Sequence, residues 1–117
     1  MNAVQNHWGD APGASDQMAE FAIGFLVSGR GTARELVRVL VQQWSTHAAL
    51  EFVLVLSLTA NAIEETLKGD EVNRLSQDAW RMAALLGVDI YDAQALGLPH
   101  RTGADLVSYW RQHDSFF

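Results

Sequence analysis

"EFVLVLSL", residues 51–58, decides the fold. Its valines and leucines favour a buried strand, yet it sits inside a stretch, 47–68, that runs 22 residues without glycine or proline. Strands are usually shorter than ten residues, about five or six, and the segments on either side read as helical, so length and neighbours decide for a helix. The middle of this segment is apolar on every side, which suits a central helix surrounded by others. Glu64 and Lys68 have the spacing of a favourable i,i+4 pair, and Lys68-Gly69 makes a good helix stop.

Working outward, Met18, Phe21, Ala22, Phe25 and Leu26 recur on one face of a 3.6-residue repeat. Ser15 or Asp16 caps that helix, and Gly29 supplies the left-handed residue past its end. Thr32-Ala-Arg-Glu35 fits a capping box, followed by Leu36, Val37, Leu40, Val41 and Trp44 as a second buried face. A break follows at "WSTH", residues 44–47. Beyond Gly69, Asp70 caps a helix with Val72, Leu75, Ala79, Met82, Ala83 and Leu86 inward and Gly87 past its end. A short helix from Asp89 to Leu96, stopped by Gly97, comes next. Thr102 and Asp105 then open a last helix with Leu106, Val107 and Trp110 facing the core. The expectation is an all-α fold, a compact bundle of five or six helices around the segment 47–68. Residues 1–14 read as a flexible tail in which Trp8 is the group able to dock, and 15–117 as one helical domain.

The chain has 117 residues, 49% of them hydrophobic and 19% charged, a globular composition large enough for one core. The absence of cysteine excludes disulfides and thiolate metal sites. The first 15 residues lack a basic region and an apolar run, so no signal peptide is expected. The longest apolar run, "FVLVLSLTA", residues 52–60, falls well short of the ~20 residues a bilayer span needs. A soluble, cytoplasmic protein is the expectation. Net charge is −6, and 1–69 and 70–117 each carry four bases against seven acids, so neither half is a hidden basic module. This balance argues against nucleic-acid and anionic-membrane partners.

Two polar loops at helix starts are the candidate anion sites. In "SGRGTARE", residues 28–35, Arg30, Thr32 and Arg34 surround a helix N-terminus with glycines that let a phosphate approach. No P-loop pattern is present, and Glu35 in a capping box lies over the same amides and repels an anion. The second loop, after Pro99, places His100 and Arg101 where a carboxylate or phosphate ester would bind, with Asp105 again competing for the amides. His47 and Glu51 share an i,i+4 face but lack a zinc-binding pattern around them. No serine lies in a nucleophile elbow. Neither a catalytic residue, a metal site nor a cofactor is expected.

"RMAALLGVDIYDAQAL", residues 81–96, resembles a helix-turn-helix, with Ala83 in the first helix, Gly87 in the turn and Leu96 anchoring the second. The resemblance implies a DNA-binding regulator. The would-be recognition helix, however, starts with Asp89 and Asp92 and has no Lys or Arg, which sets two carboxylates between phosphate rows. A structural corner is the simpler reading. The aromatic residues point elsewhere: Trp80, Trp110, Phe116 and Phe117 are candidate interface residues, because surplus apolar helix surface commonly becomes a contact. The functional expectation is therefore a non-enzymatic, self-associating helical interaction module, a regulator or adaptor whose partner is protein. The alternatives are a DNA-binding regulator using 81–96 and an anion binder or enzyme at 28–35 and 99–105.

Overall fold

The computed structural model describes residues 13–113. Among them the chain forms five helices: α1 (Ala14–Val27), α2 (Ala33–Gln43), α3 (Ala49–Thr66), α4 (Asp70–Ala95) and α5 (Gly103–Gln112). Residues 51–58 lie inside α3, so "EFVLVLSL" is helical. Of the expected tail, 1–12, with Trp8, lies outside the described residues, and Ala14 already starts α1.

The connections follow from local chemistry. Thr32 accepts from the Glu35 amide at 3.1 Å while the Thr32 amide donates to Glu35 Oε1 at 2.9 Å, so the capping box is complete. Thr102 and Asp105 repeat this arrangement at α5, at 3.2 and 3.1 Å. Such a cap is worth about 1 kcal/mol. Gly29 ends α1 with φ 75°, a conformation that suits glycine. Asp70 is the first residue of α4 rather than its cap, a place taken by Gly69 at φ 123°. The expected Glu64–Lys68 pair does not form, because α3 ends at Thr66 and Glu64 instead accepts from the Trp80 indole at 2.7 Å.

The core brings together Met18, Ala22 and Leu26 from α1, Leu36, Val37, Leu40 and Val41 from α2, and Phe52, Leu56 and Ile63 from α3. Leu86 from α4 and Leu106 from α5 complete it. α3 packs against each of the other four helices, most extensively against α4 and next against α1. It is not enclosed, however. Leu50, Leu54 and Leu58 are 66%, 48% and 40% exposed, so one flank of the apolar helix faces out.

A second departure lies in α4. The expected break at Gly87 and separate helix from Asp89 to Leu96 are absent, and one helix runs from Asp70 to Ala95. Its buried residues Ala79, Met82, Ala83, Leu86, Ile90 and Ala93 keep one helical register across the glycine, and burying that stripe outweighs the roughly 1 kcal/mol cost of glycine in a helix. The true stop is Gly97 at φ 74°.

The base of the bundle is tied by main chain. Ala49 N–H donates to the Arg101 carbonyl at 2.7 Å, Gly103 N–H to His47 at 2.9 Å and Ala104 N–H to Ser45 at 2.8 Å. A Cβ at Gly103 would stand 3.1 Å from Phe52 Cε2, Ser45 Cα and the Val41 carbonyl oxygen, so this approach needs glycine.

Candidate functional site

The most distinctive exposed feature is a face shared by α3 and α4. The two helices run antiparallel, and two contacts set their register: Leu50 lines a cleft with Gly87 and Tyr91, and Glu64 meets Trp80. Between these ends α3 presents Leu50, Leu54 and Leu58, and α4 presents Trp80, Ala84 and Tyr91, all exposed. Asn61 and Glu65 continue the α3 row, with Asn61 Nδ2 donating to Glu65 at 3.2 Å. Two clefts of about 510 Å³ each border the leucine row, one at its Leu50 end and one beside Leu54 and Leu58. One is lined by Ala48, Leu50, Ile90, Tyr91, His100 and Arg101, the other by Ser15, Asp16, His47, Glu51, Leu54 and Leu58.

The second cleft holds a polar clasp. Ser15 Oγ donates to Glu51 Oε2 at 2.8 Å, and His47 Nδ1 lies 3.1 Å from Glu51 Oε1. Both groups donate to the same carboxylate, so the imidazole does not stand where it would take the serine proton, and no activated nucleophile results. The clasp ties the start of α1 to the start of α3. No cluster of three or more His, Cys, Asp or Glu is placed to hold a metal among the described residues.

The two loops proposed for anions lie at opposite ends of α2 and do not converge. At the first, Thr32 and its amide are engaged by Glu35, which leaves Arg30 and Arg34 beside an N-terminus that already faces a carboxylate. At the second, Asp105 accepts from the Arg101 and Thr102 amides at 3.0 and 3.1 Å. His100 donates from Nδ1 to the Leu98 carbonyl at 3.0 Å, which fixes the ring against the loop. Arg101 is exposed, and its guanidinium has no hydrogen-bond or ion-pair partner among the described residues.

The aromatic candidates separate. Trp80 is half-exposed on the α3–α4 face. Trp110 is a correction: at 7% exposure it belongs to the core, and its indole N–H donates to Asp89 Oδ2 at 2.9 Å. Phe116 and Phe117 lie outside the described residues. Burial pushes the Asp89 carboxyl above its ordinary value; the Trp110 hydrogen bond opposes this and the Asp92 charge adds to it. The helix-turn-helix at 81–96 is a second correction, since those residues up to Ala95 belong to one uninterrupted helix with no turn to present a recognition element. Leu50, Leu54, Leu58 and Tyr91 were missed as surface residues. The four-residue spacing of the three leucines along α3 is visible in the sequence, but apolar periodicity does not tell which flank a neighbour covers.

No helix among the described residues is long and apolar enough to cross a membrane. In comparisons with known proteins, no family model, no curated protein and no solved structure matches the chain.

Proposed function

We propose that this protein is a non-enzymatic helical interaction module that self-associates through the α3–α4 face. The observation that carries this reading is the leucine row Leu50, Leu54 and Leu58, exposed along one helix beside Trp80 and Tyr91 of the next. Water around adjoining apolar side chains is released when such a face is covered, at about 25 cal/mol per Å². A row of i,i+4 side chains bordered by clefts also has the form of a ridge that seats between the ridges of another helix. The chemistry elsewhere supports the same reading: the carboxylates that would draw attention as catalytic groups are engaged in caps and clasps.

Light scattering on the eluting protein tests this. The wild type is expected to run as a dimer, and Leu54→Glu as a monomer that still unfolds cooperatively, at the melting temperature the wild type approaches on dilution, because position 54 is half-exposed. A wild type that stays monomeric at its highest soluble concentration overturns the reading.

A further inference from the structure

We propose that the occupant of the α3–α4 face is a second copy of this chain, lying antiparallel across a two-fold axis so that the Arg101 end of one copy covers the Glu65 end of the other. This inference rests on the self-association reading and adds its partner and arrangement.

The face is apolar in the middle and oppositely charged at its ends. At the Leu50 end stands Arg101, which lines the cleft beside Leu50 and Tyr91 with its guanidinium unpartnered among the described residues. At the other end stand Glu64, engaged with Trp80, and Glu65, whose one partner among the described residues is Asn61. The two ends are separated by the fifteen-residue advance from Leu50 to Glu65, about 22 Å of helix. A two-fold axis passing between Leu54 and Leu58 sets Leu54 against Leu58 of the second copy and brings each cationic end over an anionic one. A parallel arrangement instead sets Arg101 against Arg101 and Glu65 against Glu65. An isologous contact makes every such pair twice, so the preference for one arrangement is doubled.

Net charge works against any self-association, since each copy carries −6. At physiological salt, charges more than about 8 Å apart are largely screened, whereas end pairs in contact are screened less. The local match therefore outweighs the diffuse repulsion and selects the register.

The test is charge reversal read by sedimentation equilibrium on the full chain. Arg101→Glu alone and Glu65→Arg alone are each expected to weaken the dimer about tenfold. The double variant is expected to return to within about threefold of the wild type. Raising the salt should shrink the loss in each single variant. Both positions are exposed, and melting temperatures monitor the fold. If the single variants have no effect, or if the double variant is weaker than either, the antiparallel arrangement is overturned while self-association stands. If the wild type is monomeric, both fail together.

Discussion

Asp89 and Trp110 show what a single pair of residues decides. The indole N–H needs an acceptor when the ring is buried, and Asp89 supplies one from the opposite helix at 2.9 Å. Burial, the larger effect, raises the carboxyl above its ordinary value of 3.8, so the folded protein holds this proton at a pH where the unfolded chain has released it. Stability from this group is therefore greatest below that window and declines as pH rises through it. Asp89→Asn keeps an oxygen for the indole and removes the ionisation. Urea unfolding should find the variant at least as stable as wild type near pH 7, with its advantage shrinking toward about pH 4. A variant clearly less stable at neutral pH would mean that the charge on Asp89 strengthens the bond more than burial penalises it. The sequence placed Trp110 on the core side of its helix and also offered it as an interface residue. Only the fold distinguishes these, because Asp89 and Trp110 are neighbours in space through two different helices.

At the scale of elements, the instructive case is α4. Gly87 followed by Val88 and Asp89 has the composition of a corner, and a glycine after a leucine ordinarily marks a helix end. The contrary signal was already present in the spacing of Ala79, Met82, Ala83, Leu86, Ile90 and Ala93, which stays in one register where a turn would shift the phase. The caps at Thr32 and Thr102 and the stops at Gly29 and Gly97 were legible because each involves residues within a few positions. A continuous helix makes a definite demand on Gly87. A Cβ there meets nothing within 4 Å, so Gly87→Ala should raise stability by about 1 kcal/mol in thermal unfolding. A loss of stability instead would indicate a strained or turned backbone at that position.

For the molecule as a whole, the helical class was readable from periodicity and from the long uninterrupted segment 47–68, while the covering of α3 was not. An apolar helix can be enclosed by neighbours or leave a flank for another chain, and its own residues are the same in both cases. Here Leu50, Leu54 and Leu58 remain outside the core. If that flank is covered by a second copy, folding and assembly are linked by mass action. The melting temperature is then expected to rise with protein concentration for the wild type and to be independent of it for Leu54→Glu. Equal melting temperatures across a wide dilution series of the wild type would separate folding from any association.

The main-chain tie at the base of the bundle has a kinetic consequence. It joins the entrance of α3 to the entrance of α5, two places far apart along the chain. Closing so large a loop early costs entropy that few contacts would repay. The α3–α4 hairpin draws those two places together through short-range steps, after which the tie can fasten. The last helix is therefore expected to arrive late during folding. Native-state hydrogen exchange should find its amides opening at lower free energy than those of the α3–α4 hairpin, whereas equal protection in both would mean that they form together.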